Sequence, residues 1–167
     1  MADFESQLRM ELPVLYRVAK RLTRSAEEAE DIVGQTMYAA IKSKHTFDGM
    51  HLRSWLIRIL RNEFNSTRRK ASTRLEVVSE DVEAVSEPIW DQVAWKVDAE
   101  TLLKELDQLS DEHRLIIQLC DVEEISYDEA ADALDIPIGT VRSRLFRARM
   151  KLRERCAGRI SVEGGTR

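Results

Sequence analysis

Apolar residues recur at helical spacing along most of the chain. Leu8, Leu12, Leu15, Val18, Ala19 and Leu22 fall at steps of three and four, which predicts an amphipathic helix or helix pair over residues 4–22, bent or restarted near Pro13. Ser25, three residues before Glu28, predicts the N-cap of a second helix through Ile32, Val33, Met37 and Ala40 to about Ser43. Asp48-Gly49 marks a loop between Lys44 and Leu52. From Arg53 a third helix carries Trp55, Leu56, Ile59, Leu60 and Phe64 toward Arg69. Together these three helices predict one small domain, residues 1–70.

The period then breaks. Residues 71–88 mix Ser, Thr and acids and end at Glu87-Pro88, where the residue before proline is biased away from helix, so this stretch reads as a flexible acidic linker. Ile89, Val93, Val97, Leu102, Leu103 and Leu106 predict a helix to about Leu109, with Trp90 and Trp95 as its packing anchors. Ser110-Asp111-Glu112 opens another helix to about Asp121.

Residues 126–152 have the grammar of a helix-turn-helix. Ser126 and Glu129 cap a short helix with Ala130, Ala131 and Leu134 inward, and 135–139 form the turn. Thr140 is expected to cap a second helix whose buried stripe is Val141, Leu145, Ala148 and Leu152. Arg142, Ser143, Phe146, Arg147 and Arg149 are then displayed outward, and such a helix suits the major groove, where guanidinium forks pair with guanine. The expected class is all-α: two small helical domains, 1–70 and 89–157, joined by the flexible acidic linker and followed by a tail, 158–167.

Composition agrees and charge sharpens the picture. A chain of 167 residues and 19.3 kDa has room for one ordinary domain or two very small ones. Its net charge of -4 would argue against a nucleic-acid partner, but the distribution reverses that reading. Arg58, Arg61, Arg68, Arg69, Lys70 and Arg74 stand against Glu63 alone, and a second basic block from Arg142 to Arg159 is opposed only by Glu154. Between them Glu76 to Glu112 is strongly acidic.

Candidate chemistry is sparse. Two cysteines, Cys120 and Cys156, and histidines at 45, 51 and 113 make neither a disulfide framework nor a metal site. Cys120 is expected in the core and Cys156 at the surface. Neither a nucleophile–base pair nor a glycine-rich phosphate loop is present, so no catalytic residue, metal or cofactor is expected. The N-terminal MADFESQLRMELP carries neither a basic n-region nor an apolar h-region, and no apolar run could span a membrane, which predicts a cytoplasmic protein without membrane insertion.

A family resemblance rests on three segments. Gly139-Thr140-Val141-Arg142-Ser143-Arg144-Leu145-Phe146-Arg147-Ala148-Arg149, preceded by Ser126-Tyr127-Asp128-Glu129-Ala130-Ala131, resembles region 4 of bacterial sigma-70-type initiation factors, most of all the extracytoplasmic-function group. Ala29-Glu30-Asp31-Ile32-Val33 resembles region 2.2, and Trp55-Leu56-Ile57-Arg58-Ile59-Leu60-Arg61-Asn62 resembles the W-L-x-R-I-x-R-N signature of regions 2.3 and 2.4. The match spans about residues 8 to 155.

The resemblance implies a division of labour. Asp31, Ile32, Val33 and Gln35 would dock on the beta-prime clamp helices of core RNA polymerase, with Gly34 standing where the family has glutamine. The loop from Phe47 to Arg53, with Trp55 and with Asn62 at the head of the following helix, would capture a flipped base of the minus-10 strand. Arg58, Arg61, Arg68 and Arg69 would grip that strand. Thr140, Arg142, Ser143, Phe146 and Arg147 would read the minus-35 element, with Arg149 and Lys151 on phosphates, and the second domain would meet the beta flap. The implied partners are core polymerase, promoter DNA and an anti-sigma factor. The competing reading, a sigma-mimicking adaptor that sequesters an anti-sigma factor without initiating transcription, has no use for the DNA-reading set.

Overall fold

A computed structural model describes residues 2–71 and 97–163 of the chain. The predicted linker and both Trp90 and Trp95 lie outside the described residues. The described elements are α1 (Phe4–Thr23), α2 (Ala26–Lys42), a short 3-10 turn (Lys44–Thr46), α3 (Leu52–Ala71), α4 (Ala99–Asp107), α5 (Asp111–Ile117), α6 (Tyr127–Leu134) and α7 (Ile138–Glu163).

Short polar side chains start most of these helices, at Ser25, Ser110 and Ser126 as the sequence expects and at Asp3 in addition. Asp3 accepts from the Ser6 amide at 2.7 Å, Ser25 from Glu28 at 3.3 Å and Ser126 from Glu129 at 3.2 Å, each satisfying an amide that its helix leaves without a partner. In two places the predicted start moves. Asp98 is extended and accepts from the Thr101 amide at 2.8 Å, so α4 begins at Ala99 instead of running through Val97. Pro137 accepts from the amides of Thr140 and Val141, so α7 begins at Ile138 and Thr140 lies inside its first turn instead of capping it.

Of the two readings of the first segment, the single helix holds: α1 is continuous from Phe4 to Thr23 with Pro13 inside it. Pro13, which removes one amide donor from the helix, lies at an exposed position, as does Arg9 one turn before it. One further expectation is corrected. At the other end of the chain, α7 continues to Glu163 through the stretch expected to be a tail.

Helices α1, α2 and α3 pack around Leu8, Leu15, Val18, Leu22, Ile32, Leu56, Leu60 and Phe64. Helices α4, α5 and α6 pack on α7 around Leu106, Leu115, Ile116, Leu134 and the predicted stripe of Val141, Leu145, Ala148 and Leu152. Cys156 extends that stripe and is 1% exposed, which corrects its expected surface position; Cys120 is half-buried. Helix α5 runs into a π-helical turn, Gln118–Val122, closed by the Glu123 amide on the Gln118 carbonyl at 2.9 Å. The two helical groups touch: α6 lies along α3, and α5 with the π turn lies against α1.

Gly34 sits in the interior of α2, exposed, and a Cβ built there meets nothing within 4 Å. Glycine in a helix interior costs roughly 0.5 to 1 kcal/mol relative to alanine. Gly34→Ala is therefore expected to raise stability by about that amount, seen as a higher urea midpoint at unchanged slope.

Candidate nucleic-acid interface

The loop between α2 and α3 is anchored at its base by aromatic rings and exposed over residues 48–51. Phe47 stacks 5.1 Å from Trp55, and Phe4, from the start of α1, completes the cluster at 6.1 Å from Phe47 and 6.3 Å from Trp55. Lys44 lies 5.0 Å over the Phe4 ring. Asp48 accepts from the Met50 amide at 2.9 Å while Gly49 and His51 take positive φ, a tight reversal that leaves Met50 exposed. Phe47 and Trp55 thus anchor the loop. Phe4 carries no signal in the sequence that would join it to them.

Helix α3 carries the predicted strand-gripping residues in different environments. Asn62 is exposed, and it lies in the middle of α3 instead of at its head. Arg53 pairs with Glu11 at 2.7 Å, a hydrogen bond that raises its pKa and ties α3 to α1. Arg58 donates to the Asp132 carbonyl at 3.1 and 2.5 Å and to its carboxylate at 2.9 Å; Arg61 donates to the Leu134 carbonyl at 2.8 Å. Burial, and then the nearby Arg144, lower the Arg61 pKa. Arg68 pairs with Asp111 at 3.4 Å, and Arg69 reaches back to the Asn65 carbonyl.

On α7 the predicted set divides. Arg142 is exposed, with Phe146 and Arg147 half-buried at the following turn. Ser143 is 4% exposed and its hydroxyl donates to the Thr140 carbonyl at 3.2 Å, so its side chain is not displayed outward as expected. Arg149 forks onto Asp121 of the π turn at 2.5 and 3.0 Å, which makes it a strut between α7 and that turn. Arg144, a neighbour in the same basic block, is buried and lies 3.7 Å from Glu112. Thr140, in the first turn, is half-buried.

On α2, Ile32 and Val33 point into the core, leaving Asp31 and Gln35 as the exposed members of the predicted polymerase-docking group. Asp31 and Gln35 edge a cleft of about 460 Å³ that Phe64 and Arg68 of α3 also line. Tyr38 and Ile41, one and two turns further on, are exposed as well. Among the described residues no group of His, Cys, Asp and Glu could hold a metal ion, and no helix is long and apolar enough to cross a membrane.

The described residues are helical and place an arginine-bearing helix beside an anchored loop, with a helix-turn-helix packed against that helix. Comparison with known proteins makes this specific. Residues 8–74 match the family Sigma-70 region 2, and residues 106–154 match Sigma-70, region 4. The chain is 33% identical over 159 residues to the ECF RNA polymerase sigma factor SigE of Mycolicibacterium smegmatis, across 92% of this chain and 62% of SigE. It is 36% identical over 143 residues to the ECF RNA polymerase sigma factor SigL of Mycobacterium tuberculosis, across 84% of this chain and 81% of SigL. Among solved structures, the sigma factor RpoE in complex with the anti-sigma factor NepR from Bartonella quintana matches with a TM-score of 0.72 at 32% identity, across 94% of this chain and 98% of that one. The chain belongs to the extracytoplasmic-function sigma factors of the sigma-70 family.

The cysteines take no part in this surface. Burial, and then the adjacent Asp121, push the Cys120 thiol up to about 12, and burial raises Cys156. Only the thiolate is an effective nucleophile. At pH 8 neither cysteine is expected to react with iodoacetamide in the folded chain, while both react after unfolding in urea, as counted by intact mass.

Proposed function

We propose that this chain directs core RNA polymerase to a set of promoters with its two domains in distinct roles. Residues 1–70 bind the polymerase through Asp31, Gln35 and the exposed face of α2, and take the melted minus-10 strand at the Phe47–Arg53 loop and the Asn62-bearing helix. Residues 89–157 read the minus-35 element through Arg142, Phe146 and Arg147 and meet the beta flap. No bond is made or broken in this role: strand melting draws on binding energy to an extruded base and its backbone. The work is done in the cytoplasm.

The observation that carries the reading is the recognition helix. Val141, Leu145, Ala148 and Leu152 seat α7 on its own domain, and that seating leaves Arg142 exposed with Phe146 one turn on. An adaptor that only occupied an anti-sigma factor would need neither this face nor the exposed Asn62. RpoE, which this chain resembles, is solved in complex with the anti-sigma factor NepR, and this supports an anti-sigma partner for this chain as well.

Run-off transcription with purified core polymerase on a promoter library tests the reading. Wild type is expected to give transcripts sharing a minus-35 and a minus-10 motif. Arg147→Ala should weaken use of those promoters by roughly 1 to 3 kcal/mol and relax one minus-35 position, and Asn62→Ala should act on the minus-10 motif instead. A folded chain that binds core polymerase yet yields no transcript overturns the proposal.

A further inference from the structure

We infer that helix α1 is a splint for the base-capturing loop: Phe4 and Glu11 hold the two ends of residues 47–53 and act as positioning residues that set how sharply the minus-10 strand is read. The inference rests on the reading of that loop given under the proposed function, in which neither residue has a part. Its physical content is a matter of spacing. Phe4 and Glu11 stand seven residues apart on α1, two turns of helix or about 10 Å of rise, so both side chains leave one face, with Leu8, 1% exposed, between them. Phe4 meets Phe47 at 6.1 Å, where the loop begins, and Glu11 accepts from Arg53 at 2.7 Å, where the loop runs into α3.

Between these two points the loop has little of its own to define it. Residues 48–51 are exposed, the Met50 amide donates to the Asp48 carboxylate at 2.9 Å, and the Trp55 amide donates to the His51 carbonyl at 3.1 Å. A further contact, His51 to Glu129 at 3.1 Å, joins two exposed side chains. His51 takes a φ of 51°, a left-handed conformation that is costly for a residue with a side chain and persists where the surrounding structure imposes it.

The fixing at each end is specific in kind. Phe4 stands edge-on to Trp55 at 6.3 Å, Lys44 of the preceding turn lies 5.0 Å over its ring, and Asp3, by capping α1, sets the turn from which it projects. Aromatic pairs are directional, so a side chain of similar bulk without a ring does not orient Phe47 in the same way. At the other end the Glu11 side chain is 17% exposed and that of Arg53 43%, so an Arg53 released by loss of Glu11 finds water and leaves its end of the loop untied. A pocket formed beforehand accepts one extruded base and excludes others, whereas a loop free to repack admits several.

The test uses the full chain with core polymerase and a promoter library randomised at the minus-10 and minus-35 elements together, read as transcript yield. Phe4→Ala and, separately, Glu11→Ala should narrow the preference between the best and worst base at minus-10 positions about two- to tenfold, with minus-35 preference as in wild type. Phe4→Tyr, which keeps the ring, should restore the preference, and Phe4→Leu, which keeps the bulk, should not. A general loss of stability would instead lower yield from every promoter and blur both elements alike. Glu11→Ala, a change at a salt bridge open to water, carries the test if Phe4→Ala does not fold. Hydrogen exchange on the free chain gives a readout that needs no promoter: the Met50 and Trp55 amides should exchange about two- to tenfold faster in both variants, and those in the interior of α2 at the wild-type rate.

Minus-10 preference that is the same in wild type and both variants, or blurring of equal size at both elements, overturns the inference while leaving the promoter reading in place. A wild-type chain that yields no transcript overturns the promoter reading instead. The loop amides then judge the splint alone: faster exchange in the variants upholds it, and unchanged exchange overturns it.

Discussion

Carbonyls at the ends of helices need donors, and in this fold much of that need is met across the boundary between domains. Arg114, 2% exposed, donates to the carbonyls of Arg21 and Leu22 at the end of α1, to the Leu109 carbonyl, and to Asp111. A guanidinium in such a place loses hydration, and burial lowers its pKa, so it is tolerable only with its donors occupied. The traffic runs in both directions: the second domain lends Arg114 to α1, and the first lends Arg24 to the end of α4 and Arg58 and Arg61 to the end of α6. The relative placement of the two domains follows from where these ends lie.

This arrangement also engages several cations of the chain's basic blocks in contacts within the fold. Arg53 and Arg149 are struts within their own domains, Arg58, Arg61 and Arg68 face the other domain, and Arg142 remains at the surface. Net charge along a segment says how many cations are present. It does not say which of them a carbonyl or carboxylate has already engaged.

Much of the fold is legible in the sequence because it is local. Helix starts at Ser25 and Ser126, the buried stripe of α7 and the loop at Asp48-Gly49 follow from spacing and capping chemistry that act within a few residues. Pro13 leaves one helix or two open, because a proline at an exposed position of a helix removes a single hydrogen bond and the buried stripe on the other face continues past it. Thr140 misleads because the chain is already helical from Ile138, where the Pro137 carbonyl takes the first amides. The candidate site is legible in kind more than in detail. Ser143 and Arg149 share the spacing of a displayed face, but one hydroxyl folds back on its helix and one guanidinium meets an aspartate that a π turn brings within reach. The pairing of α3 with α6 joins residues more than seventy positions apart and has no local signature.

The acceptors for Arg61, Arg24 and Arg114 include main-chain oxygens, which every amino acid supplies. Residues 134, 107, 21 and 22 can therefore drift in identity without deleting those bonds, while each donor position needs a side chain with an N–H or O–H long enough to reach. Paired changes across a family, the usual trace by which touching residues betray themselves in alignments, would be silent at these positions. The main-chain part of such an interface can persist through long divergence without a coevolutionary record, which is left to side-chain pairs such as Arg17–Glu123 and Arg68–Asp111.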